Sequence, residues 1–191
     1  ALDPPADEPG REPVDPIVPR PVVLREEKRL VLEDKVQLPR LYLAWVTPPA
    51  FAPGDAALDA VAGVLTGGKN SRLYRRLVYD LQVAQDVAAF QESAALASTF
   101  MVTVTARAGH GLEEIRRLVD EEIARLASEP PTERETTRFQ NQTEAAFFDR
   151  LERVGGFGGK ADQLNAYYSR TGNPDYFEED LARYRALGPS D

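Results

Sequence analysis

The sequence predicts an α+β fold: a mainly antiparallel sheet of about four or more strands with helices packed on one face, in the order β-β-α-α-β-β-α-α-α-α. Three observations carry that prediction. Two pairs of short segments read as strands, and one member of each pair, Pro39–Thr47 and Thr99–Arg107, alternates between faces. The connection within the second pair, Ala95-Leu-Ala-Ser98, is short enough to demand antiparallel pairing. Beyond Gly109 the apolar residues recur at helical spacing, so the helices are grouped rather than interleaved with strands.

The first stretch, residues 1–25, is a proline-rich linker or extended arm. Pro4, Pro5, Pro9, Pro13, Pro16, Pro19 and Pro21 alternate with acids. Proline fixes φ and removes a hydrogen-bond donor, which excludes helix and central strand. Such a start suggests a segment joining this region to something longer. Residues 26–191 read as one α+β domain, a size that buries roughly 70% of the surface its unfolded chain exposes.

Lys28–Asp34 reads as a first strand and Pro39–Thr47 as a second, with Leu41, Leu43 and Trp45 on one face. Asp55–Thr66 is a helix with Asp55 as its N-cap and Leu58, Val61, Ala62 and Leu65 as its buried stripe. Gly67-Gly68 ends it. Asn70 or Ser71 caps a helix from Arg72 to about Leu81. Val83–Ser93 and Thr99–Arg107 are the second strand pair; in the latter Phe100, Val102 and Val104 alternate with Met101, Thr103 and Thr105. A long helix runs from about Leu112 to Ser128. Thr132-x-x-Glu135 is a capping box that opens another helix to about Val154. After Gly155–Gly159 a helix spans Lys160–Arg170, and Asn173-Pro174 starts a last one to Leu187. Ser190 or Asp191 resembles the cap of a further helix, so the domain is expected to continue past this sequence.

Composition excludes several functions. With 23 Lys plus Arg against 31 Asp plus Glu, the net charge is −8, which lacks the basic footprint of a nucleic-acid binder. There is no cysteine, so there is no disulfide framework and no thiolate metal site. No apolar run is long enough to span a bilayer, so no transmembrane segment is expected.

Several motifs invite a chemical reading beside a plainer one. His110-x-x-Glu113-Glu114 could supply metal ligands, but a hydrolytic zinc needs three protein ligands and an open position, and the chain has a single histidine. Acids in a first helical turn are favoured by the helix dipole alone. Gly63–Asn70 nearly matches a phosphate-binding G-x-x-x-x-G-K-[ST] loop, yet it follows a helix rather than a strand and Asn70 replaces the hydroxyl residue. Nucleotide binding is therefore only a remote alternative. Arg72, Arg75 and Arg76 could grip a carboxylate but read more simply as a solvated helix face, with Asp80 in pairing range. Glu113, Glu114, Asp120, Glu121 and Glu122 read as a wet helix surface. The cluster Gly155, Gly156, Phe157, Gly158 and Gly159 reads as a hinge, an interdomain loop or a plain connector.

The segments LPRLYLAWVTPP (38–49), ALDAVAGVLTGGKNSRLYRRLVYD (57–80), VAQDVAAF (83–90), FMVTVTARAGHGLEEI (100–115) and GGFGGKADQLNAYY (155–168) together resemble the pitrilysin/insulinase family of zinc peptidases, which includes the mitochondrial processing peptidase, and its bacterial members in particular. The resemblance implies a metallopeptidase built from paired homologous domains, one of which carries an inverted zinc motif, His-x-x-Glu-His. That motif is absent here. The chain therefore resembles the non-catalytic partner domain, which helps enclose the peptide substrate. It implies no catalytic and no metal-ligating residue in this chain, with zinc bound by another domain of a longer zinc metalloendopeptidase. The implied partners are the sister domains of that protein and its peptide substrate, and the implied compartment is the bacterial periplasm or cell envelope. The family's substrate-gripping Arg and Tyr correspond to Val78 and Gln85, so that clamp is missing. The domain then belongs to the half bearing the zinc site, or to an inactive homologue. Ser71, Arg72, Arg75, Tyr79 and Gln85, around the helix-to-strand turn, are the candidate substrate-cleft residues. The alternative function is a structural, assembly or binding homologue without peptidase activity.

Overall fold

A computed structural model describes residues 24–155 and 158–191. Its centre is a three-stranded antiparallel sheet in the order β1-β3-β2, formed by β1 (Arg40–Thr47), β2 (Ala84–Glu92) and β3 (Ser98–Ala106). Register is continuous from Arg40↔Thr105 to Thr47↔Ser98 between β1 and β3. Between β2 and β3 it shifts once, between Ala84 and Asp86, leaving a bulge at Gln85. The Asp86 carboxylate accepts from Thr105 N–H at 3.1 Å beside this bulge.

The period of two along β3 sends Phe100, Val102 and Val104 into the core. Helices α1 (Asp55–Thr66) and α2 (Leu112–Ser128) cover that face. Leu65, Leu73, Leu77, Ile115 and Val119 are fully buried in the same cluster. Helix α3 (Glu133–Glu152) packs on the outer side of α1, with α4 (Lys160–Thr171) and α5 (Phe177–Arg185) against it. Gly63 allows the α1–α3 approach: a Cβ there would lie 2.5 Å from a Phe139 ring carbon.

The described sheet has three strands, fewer than the four or more that the sequence predicts. Lys28–Asp34 is extended but pairs with no described strand, and Leu30, Val31 and Leu32 are each more than 80% exposed. Side chains tether the segment instead: Arg116 donates to Glu27 at 2.9 Å and Arg29 to Glu113 at 3.4 Å. β-Preferring residues therefore describe a segment with no described partner to complete its ladder. Residues 1–23 of the proline-rich arm lie outside the described residues.

Three further differences are local. Tyr74–Asp80 is a π-helix, and the Leu81 N–H bonds the Arg76 carbonyl five residues back at 2.9 Å. Asp55 is not the cap of its own helix: Gly54 is, at φ 91°, and the Asp55 carboxylate accepts from the Phe51 N–H at 2.9 Å. The last helix starts at Phe177, because the Asn173 side chain caps a turn by accepting from Asp175 N–H at 3.0 Å. The capping box at Thr132 and Glu135 is present with both of its hydrogen bonds.

Candidate functional site

The face of the sheet turned away from α1 and α2 carries no described element. Because paired residues in an antiparallel sheet share a face, the registers place Tyr42 and Ala88 beside Thr103, and Ala44 and Phe90 beside Met101; Val46 lies beside Thr99. Tyr42 is 59% exposed, Phe90 41% and Val46 38%. Arg40 and Asp86 flank the same face at one end. Arg40 Nε donates to the Thr105 hydroxyl at 2.9 Å. Exposed Glu92 pairs with Thr99 at the other end, so the result is an apolar strip with polar groups at both ends, the kind of patch that marks an interaction site when left uncovered.

The residues singled out around the helix-to-strand turn fall in different places. Ser71 is fully buried and its hydroxyl donates to the Gly68 carbonyl at 2.5 Å. Arg72 is largely buried: its guanidinium donates to both Glu135 oxygens at 2.9 and 3.0 Å, and to the carbonyls of Glu129 and Pro130 at 2.9 and 3.2 Å. The hydrogen bonds from Arg72 hold the Glu135 carboxyl well below the usual range, at about 2. Arg75 lies exposed, 3.5 Å from Asp80. Arg76 reaches both Glu121 and Glu122, and Glu122 is 2% exposed. The solvated-face reading thus describes Arg75, while Arg72 and Arg76 join separate elements and Glu122 is buried rather than wet. Tyr79 is 73% exposed and Gln85 is exposed at the β2 bulge. Val78 packs against the core. Gly155 is exposed and Gly158 has φ +77°; Gly159 is buried, and a Cβ there would meet the Gly155 carbonyl at 2.8 Å. Gly156 and Phe157 lie outside the described residues.

Sequence reasoning missed a second polar centre, which ties α5 to α1 and the β2–β3 hairpin. Asp55 is 3% exposed and accepts from Ser93 at 2.7 Å, Phe51 N–H at 2.9 Å, Arg183 at 3.1 Å and Gln91 at 3.3 Å. Burial pushes its carboxyl up, but these donors together outweigh that and leave it below the ordinary value. Arg183 also donates to Asp180 at 2.9 Å, whose other oxygen accepts from the Tyr167 hydroxyl at 3.0 Å. One turn along α1, Asp59 accepts from the Tyr184 hydroxyl at 2.7 Å. Burial outweighs the Tyr184 hydrogen bond and pushes the Asp59 carboxyl up to about 6. The one legible signal was the i, i+4 spacing of Asp55 and Asp59 on α1; their partners on α5 lie 128 and 125 residues away.

A hydrolytic metal does not fit this chain. Among the described residues no group of three or more His, Cys, Asp or Glu side chains is placed to hold a metal ion. His110 lies 3.2 Å from Glu114 across one helical turn, with no further ligand. Gly63–Thr66 are helical, so the phosphate-loop context of a preceding strand is missing as well. No described helix is long and apolar enough to cross a membrane.

The described residues form an α+β layer covered by helices on one face of its sheet and open on the other. The family model of the peptidase M16 inactive domain matches residues 3–143, and the chain belongs to that family. Solved structures share the fold. A protease from Helicobacter pylori matches with a TM-score of 0.72 at 20% identity, over 83% of this chain and 37% of that one. The inactive peptidase domain of an assigned zinc protease from Bordetella parapertussis matches with a TM-score of 0.71 at 19% identity, over 83% of this chain and 82% of that one. The periplasmic protease PqqL from Escherichia coli matches with a TM-score of 0.62 at 12% identity, over 82% and 17% respectively. The chain thus spans little more than a third of the Helicobacter protease. No curated protein matches its sequence.

Proposed function

We propose that this chain is the non-catalytic wall of a longer zinc peptidase, in which its open sheet face helps enclose a peptide substrate. The zinc is held by a sister domain, whose metal-bound water performs the hydrolysis. The observation that carries this reading is the uncovered apolar face formed by Tyr42, Ala44, Val46, Phe90 and Met101. A peptide presents apolar side chains and backbone donors and acceptors, and this face offers apolar contact with hydrogen-bonding groups at both ends. Tyr79 and Gln85, exposed around the turn into β2, are the proposed contacts at its margin. Ser71 and Arg72 serve it indirectly: Ser71 holds the turn after α1 and Arg72 ties the following helix to the start of α3. The periplasmic location of PqqL supports the periplasm as the compartment.

The test compares peptide hydrolysis by the full-length protein with that by this chain alone, with chelator and zinc add-back. The reading expects cleavage by the full-length protein, loss with chelator, recovery with zinc and an inert isolated chain. Zinc-dependent cleavage by the isolated chain would place the ligands here and overturn it. A folded full-length protein that cleaves nothing under any metal would transfer the face to assembly instead.

A further inference from the structure

A cavity of about 310 Å³ lies in the helix layer, separate from the open sheet face. Asp59 of α1, Phe139, Phe147 and Arg150 of α3, and Asp180 and Tyr184 of α5 line it. Arg150 acts on Asp180 only at a distance, and neither Asp59 nor Arg150 makes an ion pair among the described residues. Asp59 Oδ2 accepts from Tyr184, while Oδ1 has no hydrogen-bond partner among the described residues. Arg150 makes no ion pair among the described residues; its guanidinium rests 5.6 Å over the Phe147 ring. The two do not close on each other, although both border the same space. Asp180, by contrast, has both oxygens committed to Arg183 and Tyr167. Between the unmatched charges the wall is aromatic: Phe139 and Phe147 stand 6.3 and 5.4 Å from Tyr184.

We propose that this cavity binds a small zwitterion, an α-amino acid with an apolar side chain. The ammonium pairs with Asp59, the carboxylate pairs with Arg150, and the side chain lies against Phe139, Ala146 and Phe147. Its size is at the lower end of the roughly 300–1,000 Å³ typical of ligand pockets, which restricts the occupant to something small. A ligand carrying one charge of each sign satisfies both unmatched groups at once, whereas a lone cation leaves Arg150 facing it. A carboxylate raised towards neutrality by burial is the group that gains most from an incoming ammonium. Asp55, Asp180, Arg183 and Tyr184 also act on Asp59, and none of them supplies a partner to Oδ1.

The test is NMR titration of the 191-residue chain with L-leucine, with L-leucinamide and N-acetyl-L-leucine as the probes lacking one charge each. The proposal expects saturable shifts for leucine, with an affinity of about 1 mM as befits a small ligand. It expects at least about a tenfold loss for either single-charge probe and for Asp59→Asn or Arg150→Gln. Binding should also weaken below about pH 6, as Asp59 gains its proton. Arg150 is exposed, so Arg150→Gln keeps the test valid even if Asp59→Asn disturbs folding. Absence of saturation with leucine would overturn the proposal. So would leucinamide or N-acetylleucine binding as tightly as leucine, or unchanged affinity in Arg150→Gln.

Discussion

The two faces of the sheet are built from alternate residues of the same strands, yet they differ in everything but backbone. Along β3, Phe100, Val102 and Val104 are sealed beneath α1 and α2, while Thr99, Met101 and Thr103 between them look outward with Tyr42, Val46 and Phe90. The covered face is what holds the domain together. The open face contributes little to stability, since much of its apolar surface remains in water, and its composition is therefore free to serve a contact. The difference teaches where to look for function in a domain that lacks catalytic groups: on the apolar surface that the fold does not use.

The largest effects should come from the covered face. Leu65→Ala and Ile115→Ala each remove a fully buried side chain and should cost about 3 kcal/mol in urea unfolding. A loss below about 1 kcal/mol would mean that the face is not the core. Next, Arg72→Ala should cost about 2 kcal/mol, because it leaves Glu135 and two carbonyls without their donor. Glu135→Ala, which also dismantles the capping box, should lose a similar amount.

The pH dependence sharpens the contrast within the helix layer, because its two most strongly perturbed carboxyls, Glu135 and Asp59, pull in opposite directions. Glu135 is lowered to about 2, so its contribution is present above about pH 4.5 and is lost as pH falls through about 2. Asp59 is raised to about 6, so the folded state holds its proton more tightly than the unfolded chain. Its contribution is complete below about pH 4 and is lost as pH rises through about 6, on the order of 2 kcal/mol. Urea midpoints between pH 4 and 7 should therefore fall more in the parent sequence than in Asp59→Asn, and parallel profiles would contradict the assignment. The smallest effect belongs to the open face: Phe90→Ser and Tyr42→Ser should each change stability by less than about 1 kcal/mol, while impairing peptide cleavage in the full-length protein.

Much of this architecture was legible from local pattern. The alternation in Pro39–Thr47 and Thr99–Arg107 located two strands, and Thr132-x-x-Glu135 located the start of α3, because both signals depend on residues close in sequence. Lys28–Asp34 also read as a strand but has no described partner, and pairing is not a property of one segment. The π-helix at Tyr74–Asp80 was hidden for a similar reason: Leu73 and Leu77 fit an α-helical period, and the shift to five-residue hydrogen bonds shows only in the backbone. Charged side chains were the least legible. Arg72 and Glu122 read as surface on their own helices and Asp55 as a helix cap, whereas each has side-chain partners between 36 and 128 residues away.

The central claim is that peptide meets the open face. It is tested most directly by placing a photo-crosslinking amino acid at Phe90 in the full-length protein, and separately at Leu164, an exposed position on α4. Irradiation with a labelled peptide, in the presence of chelator to halt cleavage, should label the protein at position 90 and not at 164. Equal labelling at both positions, or labelling at 164 alone, would contradict the account.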